Sequence, residues 1–241
     1  MNILVLGHKG MLGHMVVKYL TDQNINITTT PYKFPSEEFK QDIIKFNGDY
    51  IINCIGAIPQ KTQNFSINTE LPIWLSENII SRIIHPGTDC EIDNDEYGNS
   101  KRIARDYIIK NSNNTKIVKA SIIGPELESK SSLLEWFLNS KDKVNGYTNA
   151  MWSGITTLEW AKQCYKVINN WDFYNIENIV ISDCLSKYKL LLLIKDIFDK
   201  DIIVIPNDKV NINKCLTLGN LNTLNIKDQL VELKKYYYGS E

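Results

Sequence analysis

A chain of 241 residues that is 43% hydrophobic can bury a sizeable core, and its length fits one large domain or one domain with a small added lobe, against a disordered or fibrous chain. The 27 Lys and Arg balance 28 Asp and Glu to a net charge of -1, so no long-range attraction toward nucleic acid or an anionic membrane is expected, and any bound anion must be held locally. Cys54, Cys90, Cys164, Cys184 and Cys215 are odd in number, widely spaced and free of C-x-x-C pairs. They predict reduced thiols rather than a disulfide frame or a zinc site, and with them a cytoplasmic location.

Ile3-Leu4-Val5-Leu6 is an apolar run ending in Gly7, the pattern of a strand covered on both faces. From Met11 the apolar residues Leu12, Met15, Val16, Tyr19 and Leu20 recur at helical spacing until Thr21-Asp22-Gln23-Asn24. Residues 25–30 predict a second strand and 36–46 a helix opened by Ser36 with Glu37 and Glu38 in its first turn. A third strand is expected at 50–55, a helix from Pro72 to Ile80, a strand at 82–85, a polar stretch to Glu96 and a helix over 97–109. Residues 116–123 read as a strand ending in Gly124-Pro125. Beyond about residue 125 the rhythm loosens, with helices at 132–139, 158–169 and 186–198 and a strand at 178–181. No leader with a basic region and apolar run is expected at the N-terminus, and the apolar stretch 190–194 is too short to span a bilayer.

Strands alternating with helices in this way predict an α/β fold, a doubly wound parallel sheet of Rossmann type. The expected division is a dinucleotide-binding domain over 1–125 and a mixed region over 126–241 that forms a small C-terminal substrate lobe and completes the sheet.

The turn Gly7-His8-Lys9-Gly10-Met11-Leu12-Gly13 stands between the first strand and an amphipathic helix. Gly7 permits a sharp exit from the strand, Gly10 lets the main chain approach a pyrophosphate, and Gly13 allows close packing of the helix. The helix N-terminus, with Met11 and Leu12, then offers N–H groups and a positive dipole end to phosphates. NAD-preferring proteins place an acid at the end of the second strand, but this chain has Thr28-Thr29-Thr30-Pro31-Tyr32-Lys33. Lys33 and Lys9 are placed to face a 2′-phosphate, so NADPH is the preferred cofactor and NADH the alternative.

Tyr97 and Lys101 lie four residues apart, on one face of the expected helix, and form the only Tyr-x-x-x-Lys pair in the chain. A neighbouring ammonium is expected to lower a phenol's pKa and ready it for proton transfer. The pair follows Gly87-Thr88-Asp89 at a strand end, which puts the Thr88 hydroxyl at the carboxyl edge of the sheet, where ligands bind in such folds. His8, His14 and His85 lack ligand spacing, and no metal is expected.

With these residues in place, the chain resembles the extended short-chain dehydrogenase/reductases that act on nucleotide sugars, above all the dTDP-4-dehydrorhamnose reductase group. The likeness runs in order through residues 1–13, Ile52-Asn53-Cys54-Ile55-Gly56, Ile67-Asn68-Thr69, Gly87-Thr88-Asp89-Cys90, Tyr97-Gly98-Asn99-Ser100-Lys101, 121–126 and 152–158. The resemblance implies Thr88, Tyr97 and Lys101 as the catalytic set, Gly56 and Ala57 on the adenosine side, and Ser121 and Ile122 beside the nicotinamide. It further implies Asn68 near the active centre and Trp152, Gly154 and Thr156 near a nucleotide-sugar substrate. Cys90 stands where related epimerase-reductases carry a proton-exchanging cysteine. Relatives usually carry a loop of a dozen or more residues before the tyrosine, whereas only residues 91–96 intervene here, and Lys119 and Lys214 stand where relatives often carry Arg. The implied activity is NAD(P)H-dependent reduction of a 4-keto-6-deoxy nucleotide sugar for polysaccharide synthesis. A non-catalytic binding subunit and an epimerase-reductase are the alternatives, and a homodimer is left open.

Overall fold

A computed structural model describes residues 1–239. The chain folds into two compact units, residues 1–119 with 161–178, and residues 120–160 with those from 179 onward.

The first unit contains β1 (Asn2–Leu6), α1 (Met11–Asp22), β2 (Asn26–Thr29), α2 (Glu37–Lys45), β3 (Tyr50–Asn53), α3 (Ile67–Asn78), β4 (Arg82–Gly87), α4 (Glu96–Asn111) and β5 (Thr115–Lys119). Its strands are parallel, in the order β5-β4-β3-β1-β2. The expected α/β fold with a parallel sheet is therefore the observed one. β1 and β3 are neighbours whose outgoing connections run to opposite sides, from β1 to β2 and from β3 to β4, so the turn after β1 falls at the topological switch point.

Alternation along the strands decides which helix each face meets. Leu4, Leu6, Ile51 and Ile83 pack with Phe39 and Ile43 of α2 and with Leu71 and Leu75 of α3. On the other face the Tyr50 hydroxyl donates to the carbonyl of Ile168 at 3.1 Å, and the rings of Tyr19 on α1 and Tyr165 meet edge to face at 6.2 Å. Burying both faces explains why these short strands are nearly continuous apolar runs. α3 starts at Ile67, ahead of Pro72. The amides of Asn68 and Thr69 bond to carbonyls three residues back, so the helix opens with a tight turn that precedes the proline.

The second unit is organised differently. β6 (Ile122–Ile123) is separate from β5 and pairs with β8 (Ile155–Thr156), so the strand expected over 116–123 is two short ones. α5 (Leu133–Asn139) leads to β7 (Lys143–Trp152), and α6 (Thr157–Asn169) carries the chain back into the first unit. β9 (Glu177–Ile181), β10 (Leu185–Ser186), α7 (Lys187–Ile197), β11 (Ile203–Lys214), β12 (Leu221–Asn222) and α8 (Ile226–Leu233) follow. β7 is the centre of a β10-β7-β11 sheet, with β11 parallel and β10 antiparallel to it.

Cys184 and Cys215 form a disulfide with Cα atoms 5.6 Å apart. This corrects the expectation of five reduced thiols. Cys184 precedes Leu185, Cys215 follows Lys214, and both of those neighbours pair with Trp152, so the sheet brings two distant cysteines to one strand end. No helix among the described residues is long and apolar enough to cross a membrane.

Candidate active site

The turn after β1 has the geometry its sequence suggests. Gly7 adopts φ +75°, a conformation open to glycine, and its carbonyl accepts the Gly10 amide at 2.9 Å. A Cβ on Gly13 would lie 2.7 Å from the Gly7 carbonyl carbon, so the helix contacts the turn itself. Gly10 caps α1 without a side-chain hydrogen bond, and the first helical turn carries no acidic residue. Met11 is half-buried, Leu12 is buried, and Lys9 and Lys33 are exposed. An uncapped helix start, a glycine cradle and no competing acid suit a dinucleotide pyrophosphate.

Asn68 fixes the neighbouring wall from α3. Its Oδ1 accepts the Ala57 amide at 2.8 Å, and its Nδ2 donates to the Ala57 carbonyl at 3.0 Å and to Ser100 Oγ at 3.1 Å. Ser100 in turn donates to the Tyr97 carbonyl at 2.7 Å, tying this wall to the first turn of α4. A Cβ on Gly56 would sit 3.2 Å from Lys101 Nζ and 3.3 Å from Asn68 Oδ1. Gly56, Ala57, Asn68 and Lys101 thus converge where β3 ends.

The catalytic candidates also come together. Asp95 caps α4 by accepting the Gly98 amide at 2.6 Å, which fixes the helix turn that carries Tyr97. The Thr88 hydroxyl stands near enough to the Tyr97 phenol to act on its protonation, and the Phe65 ring packs edge-on against Tyr97 at 5.6 Å. Thr88 Oγ1 donates to Asp89 Oδ1 at 3.0 Å and accepts the Cys90 amide at 3.3 Å, and Cys90 Sγ lies 3.7 Å from Asp89 Oδ1.

Electrostatics keep Tyr97 neutral. Burial raises its pKa above the ordinary phenol value, nearby Cys90 and Asp89 raise it further, and the neighbouring Thr88 hydroxyl pulls it back. The direction is upward, not the lowering that sequence spacing suggested, and it preserves the form that can donate a proton. Lys101 is buried, and desolvation brings its pKa down to about 8, with Glu91 and Cys90 opposing the fall. It is predominantly an ammonium below that pH. Beneath the site His85, lowered to about 3 by burial and Lys101, is neutral and meets Asn53 Nδ2 at 3.2 Å. The pairing of Asn53 with His85, the Phe65 contact and the Ser100 relay escaped sequence reasoning, because each joins residues far apart in the chain.

The remaining expected site residues belong to the second unit. Trp152, Gly154 and Thr156 are buried. The Trp152 indole donates to Ser121 Oγ at 2.7 Å, and the Lys187 ammonium lies 5.0 Å from the Trp152 ring. A Cβ on Gly154 would lie 2.7 Å from the Ser121 carbonyl oxygen. Thr156 accepts the Glu159 amide at 3.1 Å and gives its own amide to Gln229 at 3.0 Å. These groups hold their own unit together. Ile122 is half-buried in β6.

No protein-family model matches the chain, and no curated protein matches it. Among solved structures it is similar to a dTDP-4-dehydrorhamnose reductase from Clostridium acetobutylicum, with 18% identity over 97% of this chain and 98% of that one and a TM-score of 0.74. It is also similar to a dTDP-4-dehydrorhamnose reductase from Bacillus anthracis in complex with NADP, at 14% identity, 96% and 98% coverage and TM-score 0.81. A UDP-N-acetylglucosamine 4-epimerase from Bacillus cereus gives 16% identity, 96% and 97% coverage and TM-score 0.71. At these identities the likeness establishes a shared fold.

Proposed function

We propose that this chain is an NAD(P)H-dependent reductase of a 4-keto-6-deoxy nucleotide sugar, of the dTDP-4-dehydrorhamnose reductase kind, serving deoxysugar and polysaccharide synthesis. The observation that carries the reading is the convergence of Thr88, Tyr97 and the buried Lys101, with Lys101 Nζ against Gly56 where β3 ends and the glycine turn at the switch point. Gly7, Gly10, Gly13 and the α1 N-terminus would hold the pyrophosphate, with Lys9 and Lys33 facing a 2′-phosphate and Gly56 and Ala57 lining the adenosine side. When bound, the reduced nicotinamide supplies the hydride that reaches the carbonyl carbon. Thr88 orients the carbonyl oxygen, Tyr97 gives that oxygen a proton, and Lys101 holds the nicotinamide ribose and the local positive charge. Ser121, Ile122, Trp152, Gly154 and Thr156 are carried as ligand contacts from the resemblance alone. The proposed setting is the cytoplasm, where thiol reductants would hold Cys184 and Cys215 reduced, so protein kept under reducing conditions is the form to assay.

Loss of NADPH absorbance with a keto nucleotide sugar tests the reading. Tyr97→Phe is expected to lower kcat by about 10²–10⁴-fold with cofactor affinity unchanged, in keeping with loss of a general acid. Full turnover by that variant would defeat the assignment. The short segment before Tyr97 favours a second reading, a binding subunit without turnover. Cofactor or sugar-nucleotide affinity without cofactor oxidation across a keto-sugar panel would select it. Cys90 stands in that segment, and solvent deuterium entering the carbon beside the keto group would identify an epimerase-reductase.

A further inference from the structure

Glu91 is a buried carboxylate that the proposed chemistry leaves without a task. It is 4% exposed and lies in the eight-residue connection from Thr88 to Asp95 between β4 and α4. Its Oε1 accepts the Thr88 amide at 2.9 Å, and its Oε2 meets Lys119 Nζ at 2.6 Å and Arg105 Nε at 3.5 Å. Lys119, itself buried, pairs in register with Gly87, the residue before Thr88. Arg105 is shared with Glu177, whose Oε1 lies 2.5 Å from its Nε.

The same connection is gripped through its main chain. Arg102 Nη1 donates to the carbonyls of Glu91 and Asp93 at 3.0 and 3.1 Å. A Cβ on Gly98 would come within 2.9 Å of the Asp93 carbonyl oxygen, so the connection lies directly on the first turn of α4. Burying two opposite charges is a poor source of net stability, because desolvation offsets their attraction. A charged acceptor does, however, hold an amide more firmly than a neutral one. The amide it holds belongs to Thr88, whose hydroxyl stands beside the Tyr97 phenol.

We propose that Glu91 is a positioning residue: anchored by Lys119, its carboxylate clamps the Thr88 amide and thereby fixes the Thr88 hydroxyl against Tyr97. The catalytic part of this inference rests on the reductase reading above. The clamp itself rests on geometry alone.

Two double variants separate positioning from bulk stability. Glu91→Gln with Lys119→Met keeps an acceptor for Thr88, while Glu91→Met with Lys119→Met removes it, and neither leaves the Lys119 charge buried without its partner. Amide hydrogen exchange at Thr88 is expected to lose no more than about threefold protection in the first, whose neutral acceptor holds the amide less firmly, and about tenfold or more in the second. With a keto nucleotide sugar, the second should lose about tenfold or more in kcat at nearly constant KM, while the first stays within about threefold of the parent. Equal exchange and equal kcat in the two variants would overturn the clamp. If the parent turns over no keto sugar, the reductase reading fails, but the exchange comparison still decides the clamp. Should the methionine pair not fold, Glu91→Asp withdraws the acceptor while keeping the charge and is expected to show the same selective loss at Thr88. Retained protection there would overturn the proposal.

Discussion

The parallel strands of the first unit and the β7–β11 pair of the second are kept in register by different means. β1, β3 and β5 are short and almost wholly buried, so a slip of one residue would push apolar side chains toward the wrong helix layer. β7 alternates buried and exposed positions, and its partner β11 is mostly exposed, with a register irregularity between Asn207 and Asn211. Little burial is available to fix β11, and Pro206 is tolerated there because the strand lies at the edge of its sheet. In the oxidised form, the covalent link from Cys184 to Cys215 closes the strand end that packing holds weakly. Depth of burial orders one unit, whereas local chemistry orders the other.

Removing that link should produce the largest change in stability. Cys184→Ser with Cys215→Ser is expected to cost about 3–4 kcal/mol under oxidising conditions, from the loop entropy of a 31-residue separation. Denaturant unfolding measures the loss, and hydrogen exchange locates it. Protection should fall in β10 and β11 and stay constant in β1, β3 and β4. A uniform fall across all five strands would erase the contrast between the units.

Gly13→Ala probes the opposite regime, in which tight packing leaves no room. The added Cβ would meet the Gly7 carbonyl carbon at 2.7 Å, and backbone must move to admit it. The expected cost is about 1–3 kcal/mol, from overpacking of a close backbone contact. Thermal shift should also show weaker stabilisation by NADPH than in the parent. Unchanged stability and unchanged NADPH response would remove Gly13 from both roles.

The contrast also explains what was legible in the sequence. Ile3 to Leu6 and Ile51 to Ile52 announce buried strands, and the glycine turn announces its own geometry. β7 and β11 escaped because Asn145, Gly146 and Asn149, and Pro206, Asn207 and Asp208, read locally as loop. Gly146 is required by Tyr188, whose Cδ2 would lie 2.7 Å from an added Cβ, a contact visible only after folding. Pro72 masked the start of α3, because a residue that locally reads as a helix start stands inside the helix, behind an opening turn at Asn68 and Thr69. At the site, spacing placed Tyr97 and Lys101 on one helix face, and Thr88 followed from its strand end. Burial determines protonation, however, so the upward shift of Tyr97 and the task of Glu91 could not be read from spacing.

The smallest effect expected comes from helix caps, and it distinguishes the units most finely. Asp95 caps α4 through the Gly98 amide at 2.6 Å, and Ser186 caps α7 through the Lys189 amide at 3.2 Å. Asp95→Ala and Ser186→Ala should each cost about 1 kcal/mol in denaturant unfolding. Only the first cap adjoins the turn that carries Tyr97, so only Asp95→Ala should also lower kcat, by a fewfold factor. Asp95→Asn keeps a capping oxygen and should recover most of both losses. Equal kcat losses from the two alanine variants would mean that general loosening, rather than the placement of Tyr97, limits turnover.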